Sequence, residues 1–142
     1  MKDQLVRAAF RAREKSYAPY SHYRVGAAIL TEDGSIFEGC NIENATYGAT
    51  NCAERTAAFK AVSEGHRSFQ MIAIAGGPDS YERDFPDYAY PCGICRQVLR
   101  EFSDPKELIV LVARSETDVI EHTLEELLPN SFGPEKLKED ES

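Results

Sequence analysis

Three cysteines and one glutamate have the types and the spacing of a catalytic metal site. Cys52 precedes Glu54 by two residues, and Cys92 and Cys95 lie far downstream in a Pro-Cys-Gly-Ile-Cys segment. Three thiolates leave the fourth tetrahedral position of a zinc ion open to water, whereas four protein ligands close a structural site. The sequence therefore predicts one catalytic zinc ion per subunit, with these three cysteines as its ligands.

Glu54 is predicted to carry protons rather than to bind the metal. Residues two apart do not share a helical face, so Cys52 should lie at a loop-to-helix junction while Glu54 approaches the open metal position from another side. A carboxylate placed there can act as a general acid and base during hydrolysis. Three thiolates give the site a net negative charge, so we expect Arg55, and then Gln97, to donate hydrogen bonds to sulfur.

Two other interpretations of the cysteines stay open. Cys92 and Cys95 could form a redox pair, although that would leave Cys52 and Glu54 without a role. Cys40 could supply a fourth sulfur and make the zinc structural, in an interaction module without enzymatic activity. Cys40 has no partner at ligand spacing, which favours a small buried side chain instead.

The composition is that of a globular protein with a small-molecule ligand. The 142 residues fit a single domain over 1–142, with a core at about 3–133 and a charged tail at 134–142. A formal net charge of −8 without a basic cluster argues against a nucleic-acid partner. The sequence shows no signal peptide and no membrane-spanning run, so we expect a cytoplasmic protein with no membrane partner.

The pattern of apolar residues predicts an α/β fold with a mixed sheet and helices on both faces. We predict helices at 3–16, 52–64, 92–102 and 123–127, and strands at 25–31, 36–42, 69–75, 108–113 and 119–122. Both halves of the cysteine motif fall at predicted helix starts. Free N–H groups and the helix dipole stabilise a thiolate at such positions.

Several segments in the same order resemble the homotetrameric cytidine deaminases. They are residues 16–21, 39–45, 51–57 and 91–97, followed by Leu127-Leu128-Pro129 and Phe132. The resemblance runs from about residue 5 to residue 137. It implies a three-layer α-β-α fold with a mixed five-stranded sheet. It also implies a zinc-dependent hydrolysis of cytidine and 2′-deoxycytidine to the uracil nucleosides and ammonia, as in pyrimidine salvage.

The resemblance also assigns contacts to the nucleoside. Asn41 and Glu43 would bind the ribose 3′-hydroxyl, and the backbone of Ala53 would contact the base. Tyr23 would lie against the pyrimidine ring. The family usually has Phe followed by Pro where this chain has Tyr23 and Arg24, so this wall of the site is expected to differ in polarity.

Two aromatic residues imply an assembly. Tyr47 matches a residue that the family offers to the sugar of a neighbouring subunit, and Phe132 matches one that closes over the base of another subunit. The resemblance therefore implies a homotetramer whose sites are shared between subunits.

Residues 77–90 are the largest departure from the family, because this connection is longer than usual. It carries Tyr81, Phe85, Tyr88 and Tyr90. The simpler interpretation is a surface loop whose aromatic side chains pack on their own subunit. The other is a flap beside the zinc site that alters the substrate range. Deamination of another amino-heterocycle, such as a nucleoside antibiotic or a modified base, is the alternative enzymatic function.

Overall fold

The computed structural model describes residues 1–137, which form a five-stranded mixed sheet with helices on both faces. The sheet order is β2-β1-β3-β4-β5; β3 and β4 are parallel, and the other neighbours are antiparallel. This confirms the predicted fold class. Residues 138–142 of the predicted tail lie outside the described residues. The strands are β1 (Tyr23–Thr31), β2 (Ile36–Cys40), β3 (Phe69–Pro78), β4 (Ile109–Ala113) and β5 (Val119–Thr123), and the helices are α1 (Lys2–Arg13), α2 (Ala53–Ser63), α3 (Gly93–Glu101) and α4 (Leu124–Leu127).

The central strands separate two apolar layers. Along β1, Ala27 and Ile29 face the layer that contains residues of α2 and α3, whereas Ala28 and Leu30 face the layer that contains α1. Successive side chains of a strand point to opposite faces, so a strand covered on both sides needs a continuous apolar run. The uninterrupted burial of β3 from Met71 to Gly77 follows the same rule.

Two glycines let the helices approach the sheet closely. A Cβ atom on Gly39 of β2 would lie 2.4 Å from the backbone nitrogen of Ala57 in α2. A Cβ atom on Gly26 of β1 would lie 2.0 Å from the carbonyl oxygen of Ala9 in α1. These separations are shorter than a real side chain permits. The position of α2, and therefore of its N-terminus, depends on the missing side chain at Gly39.

The ends of some elements differ from the prediction. Strand β3 continues to Pro78 rather than ending at residue 75, and Gly76, Gly77 and Pro78 pair with the first residues of β1. Glycine and proline signal turns in isolation, but here pairing with a neighbouring strand outweighs that local signal. None of the helices within residues 1–137 is long and apolar enough to cross a membrane.

Candidate active site

The three predicted ligand sulfurs come together where α2 and α3 begin. The Sγ atoms of Cys52, Cys92 and Cys95 lie within 4.8 Å of one another. Cys92 Sγ is 3.8 Å from Cys52 Sγ and 3.3 Å from Cys95 Sγ. Two sulfurs that bind one tetrahedral zinc at about 2.3 Å are about 3.8 Å apart. Both the spacing and the chemistry of this donor set therefore fit a single zinc ion.

The helix starts position these cysteines. Cys52 is the N-cap of α2, and Cys92 is the N-cap of α3, where its sulfur accepts a hydrogen bond from the backbone N–H of Cys95. Each cysteine thus lies beside N–H groups that the helix itself leaves without a partner. The predicted helix starts were one residue early, because the N-cap residues have extended backbone.

Cys40 does not belong to this cluster. Among residues 1–137, the group of potential metal ligands that meets the distance limit contains only Cys52, Cys92 and Cys95. Cys40 is half-buried and lines a different cavity, beside Lys15 and Lys60. The alternative of a four-sulfur structural site therefore has no fourth sulfur in the described part of the chain.

Glu54 is buried beside the sulfurs, with only 5% of its surface exposed. Burial raises the pKa of its carboxyl to about 7, and the nearby charge of Cys52 acts in the same direction. Hydrogen bonds from the side chains of Cys95 and Arg55 lower the pKa of the Cys52 thiol to about 5. The same hydrogen bond between Cys95 and Cys52 raises the pKa of the Cys95 thiol. A divalent cation among these groups would favour the thiolate and carboxylate forms.

Arg55 supplies positive charge to the cluster. Its Nη2 lies 3.4 Å from Cys52 Sγ, and its buried Nε is without a hydrogen-bond partner within residues 1–137. The prediction that Gln97 also donates a hydrogen bond to a sulfur was wrong. Its Nε2 donates to the carbonyl oxygen of Phe132 at 2.8 Å. Gln97 therefore tethers the C-terminal segment to α3.

A cavity of about 480 Å³ opens over the cluster. Its lining combines polar side chains with three tyrosines, which are Tyr23, Tyr88 and Tyr90. The cavity contains most of the predicted substrate contacts, including Tyr23, Asn41, Glu43 and Ala53. Its lining residues are Ser21, Tyr23, Val25, Asn41, Glu43, Thr50, Asn51, Cys52, Ala53, Glu54, Tyr88, Ala89, Tyr90 and Cys92.

Asn41 is fixed by hydrogen bonds to β1. Its Oδ1 accepts from the N–H of Val25 at 2.9 Å, and its Nδ2 donates to the carbonyl oxygen of Tyr23 at 2.8 Å. Ser16 Oγ also donates to Oδ1. One N–H of the amide remains available to a ligand, since an amide nitrogen carries two.

Glu43 is held in the same way by the segment before β1. Its Oε1 accepts from the N–H groups of Tyr20 and Ser21 at 3.0 and 3.1 Å, and Ser21 Oγ donates to Oε2. These bonds, the Ser21 hydroxyl first, lower the pKa of the carboxyl. Sequence reasoning gave Ser16 and Ser21 no role. No spacing rule connects them with residues more than twenty positions away, although both lie in the segment 16–21 that carries the resemblance.

Tyr47 and Phe132 do not line the cavity of their own chain. Tyr47 lies in a short 3-10 turn, is 75% exposed and packs edge-on against Tyr20 at 5.9 Å. Phe132 is 55% exposed. Tyr47 instead lines a neighbouring cavity, which shares Ser21, Glu43 and Thr50 with the cavity over the sulfurs.

Residues 77–90 contain one buried aromatic side chain and two that line the cavity. Phe85 is fully buried against Phe10, as a loop packed on its own subunit requires. Tyr88 and Tyr90 line the cavity over the sulfurs, as a flap requires. Tyr81 is exposed and is not among the lining residues of that cavity.

Nearly the whole chain is similar in sequence to known cytidine deaminases. The family described as the cytidine and deoxycytidylate deaminase zinc-binding region matches residues 1–112. A cytidine deaminase of Sporosarcina psychrophila is 46% identical over 138 residues, which cover 95% of this chain and 93% of that protein. A cytidine deaminase of Halalkalibacterium halodurans is 47% identical, covering 97% of this chain and 98% of that protein.

The fold is also similar to the solved structures of cytidine deaminases. The crystal structure of cytidine deaminase from Burkholderia pseudomallei has a TM-score of 0.83 and 45% sequence identity, covering 93% of this chain and 99% of that one. The cytidine deaminase of Mycobacterium tuberculosis has a TM-score of 0.77 at 34% identity, covering 93% of this chain and 97% of that one.

Proposed function

Because this chain belongs to the family of zinc-binding cytidine and deoxycytidylate deaminases, we propose that it hydrolyses cytidine and 2′-deoxycytidine. The products are uridine or 2′-deoxyuridine and ammonia. One observation carries the proposal: three cysteine sulfurs lie within 4.8 Å of one another, and two of these cysteines, Cys52 and Cys92, line an open cavity together with the buried Glu54. Three sulfurs rather than four are the donor set of a reactive site.

Zinc is the cofactor of this family, and Cys52, Cys92 and Cys95 are the residues that would bind it here. A bound zinc ion supplies Lewis acidity, which makes water nucleophilic near neutral pH. Arg55 offsets the negative charge of the thiolates through its bond to Cys52. That bond also fixes the sulfur in place, as hydrogen bonds to metal ligands commonly do.

Glu54 is the proton carrier in this proposal. Water adds at C4 of the cytosine ring while Glu54 takes one of its protons and delivers it to N3. Glu54 then takes the second proton from the hydroxyl now on C4 and gives it to the amino nitrogen. The bond between C4 and that nitrogen breaks, ammonia leaves, and the oxygen stays on C4 as the carbonyl of uracil. The support is positional: Glu54 is buried, lies in the first turn of α2 and lines the cavity beside Cys52.

The nucleoside is oriented by groups on the cavity walls. Asn41 and Glu43 are proposed to bind the ribose 3′-hydroxyl through their remaining donor and acceptor capacity. The N–H of Ala53, the first residue of α2, has no partner within its helix and is proposed to contact the base. Tyr23 is proposed to lie against the ring. Preformed hydrogen bonds around Asn41 and Glu43 keep the cost of ordering them low.

We propose a homotetramer in which Tyr47 and Phe132 enter the sites of neighbouring subunits. Their exposure in the single chain supports this arrangement. A cytoplasmic location and a role in pyrimidine salvage belong to the same proposal. A reducing compartment keeps thiols available to zinc, and all four cysteines are unpaired in the structure.

Incubation of zinc-loaded protein with cytidine, 2′-deoxycytidine, adenosine and guanine tests the function. We expect the ultraviolet change from cytosine to uracil, with one ammonia released per nucleoside, for the two cytosine substrates. Turnover of another amino-heterocycle in their place, or of none of the four compounds, would contradict the proposal.

A further inference from the structure

The middle of the segment 77–90 is fixed by Phe85. Its ring stacks on Phe10 with centroids 5.6 Å apart, and the guanidinium carbon of Arg13 lies 4.6 Å from its centroid. Its N–H donates to the carbonyl oxygen of Arg114 at 3.0 Å, and Arg114 Nε donates back to its carbonyl oxygen at 2.9 Å. Phe85 therefore anchors the start of the stretch that leads through Tyr88 and Tyr90 to Pro91.

Tyr88 and Tyr90, the two tyrosines that follow Phe85, each contact a side chain in or next to β5. The hydroxyl of Tyr88 donates to Asp118 Oδ1 at 2.7 Å. The ring of Tyr90 lies 5.8 Å from the ring of His122 in β5, and His122 Nδ1 is 3.3 Å from Glu126 Oε2. Tyr90 is 45% exposed, so one part of its ring packs on the protein while another part faces the cavity.

The chemistry of cytosine decides which edge of the base meets the part of the cavity wall that Tyr88 and Tyr90 form. The carbon that loses its amino group has two ring neighbours, N3 and C5. N3 must face Glu54 on α2, since it receives the proton. C5 is on the opposite side of the reacting carbon and therefore faces away from Glu54. Glu54 lies in the first turn of α2, whereas Tyr90 lies two residues before Cys92, the N-cap of α3, and lines the same cavity.

We propose that Tyr90, positioned by His122, meets the C5 edge of the pyrimidine and restricts turnover to cytosine nucleosides with little or no substituent at C5. The inference rests on the proposed function and extends it to substrate selection. Tyr90 belongs to the segment 77–90, which the resemblance marks as the largest expected departure from the family. Tyr88, whose hydroxyl donates a hydrogen bond to Asp118, lines the same cavity.

The test compares kcat/KM for cytidine and for 5-methylcytidine in four proteins: the unmodified enzyme, Tyr90→Ala, Tyr90→Phe and Tyr81→Ala. Relief of a steric limit on one methyl group changes discrimination by about 10-fold or more. We expect Tyr90→Ala to shift the ratio by that factor toward 5-methylcytidine. Tyr90→Phe should keep the original ratio, because the ring rather than the hydroxyl forms the wall. Tyr81→Ala makes the same truncation in the same segment, outside the cavity, and should also keep it.

A binding measurement gives a second readout. Zinc-loaded Glu54→Gln protein, with and without Tyr90→Ala, is titrated calorimetrically with both nucleosides, and the ratio of Kd values should move in the same direction. If Tyr90→Ala does not fold or retain zinc, Tyr90→Leu replaces it. A ratio of kcat/KM that stays within twofold of the unmodified enzyme overturns the inference but leaves the function intact. Absence of cytidine turnover by the unmodified enzyme contradicts the function, and the inference falls with it.

His122 is a positioning residue in this proposal, because it acts through the ring of Tyr90. His122→Ala should shift the same ratio in the same direction by a smaller factor, and His122→Phe, which restores an aromatic ring, should reverse the shift. A purely structural role would lower the melting temperature without changing the ratio, and that result would remove His122 from the proposal.

Discussion

At the level of single residues, environment gives two carboxylates different properties. Glu54 is buried beside the sulfurs, and its pKa is raised to about 7. Glu43 accepts three hydrogen bonds at the cavity wall, and its pKa is lowered. A carboxyl that exchanges a proton suits catalysis, whereas one that stays charged suits the binding of a hydroxyl group.

The substitution Glu54→Gln should separate metal binding from catalysis. We expect one zinc per chain and an unchanged circular dichroism spectrum, because glutamine is nearly isosteric and Glu54 is not a ligand. The value of kcat/KM for cytidine should fall by about 10²–10⁴-fold, the usual contribution of a general acid and base. Glu64→Gln, at the exposed end of the same helix, is the matched control. Most of the activity surviving in Glu54→Gln would remove the proton-carrying role.

Loss of the Arg55 side chain should weaken zinc binding. Arg55→Ala removes the hydrogen bond to Cys52 Sγ and the compensating charge, which commonly lowers metal affinity 10–100-fold. Competition with a chelator measures the change, and Arg67→Ala, at an exposed position, is the control. Equal zinc affinity in both variants would show that Arg55 does not support the metal site.

At the level of elements, the features that depend on neighbouring residues could be predicted from the sequence, whereas those that depend on contacts between distant segments could not. The starts of α2 and α3 were predictable to within one residue, because a cap and the first turn are adjacent in sequence. The extension of β3 to Pro78 was not, since it depends on pairing with β1. The same holds for Ser16 and Ser21, whose partners Asn41 and Glu43 lie on another segment. The bond from Gln97 to Phe132 likewise follows from the path of the C-terminal segment.

Gly39 is the position at which the fold controls the site most directly. In Gly39→Ala, a Cβ would lie 2.4 Å from the Ala57 nitrogen, so α2 must move away from β2. Overpacking of this kind costs about 1–3 kcal/mol. We expect urea unfolding to show that loss in the free energy of unfolding. Gly48→Ala introduces a methyl group with no atom within 4 Å and should leave stability nearly unchanged. Equal stability of the two variants would contradict the described contact between α2 and β2.

At the level of the whole molecule, the single chain leaves two aromatic side chains exposed that do not line the cavity over the sulfurs. Tyr47 and Phe132 are mostly exposed, although apolar side chains gain free energy when they leave water. Sequence reasoning assigned them to neighbouring subunits through a resemblance, and the single chain is consistent with that assignment without testing it. The shared site stays a prediction.

Light scattering tests the assembly. We expect a particle of four times the 15.9 kDa of one chain. Phe132→Ala should raise KM for cytidine if this ring covers the base of another subunit, whereas Phe59→Ala, which truncates another exposed phenylalanine, should not. A fully active monomer would contradict the shared-site assignments of Tyr47 and Phe132.

The most direct test of the account is X-ray absorption at the zinc edge, applied to the purified protein and to Cys40→Ala. Both proteins should show three sulfur ligands at about 2.3 Å and one lighter oxygen or nitrogen atom. That result would identify a zinc ion held by Cys52, Cys92 and Cys95 with one position left for water. Four sulfur ligands in the purified protein, falling to three in Cys40→Ala, would instead identify a closed structural site and contradict the proposed reaction.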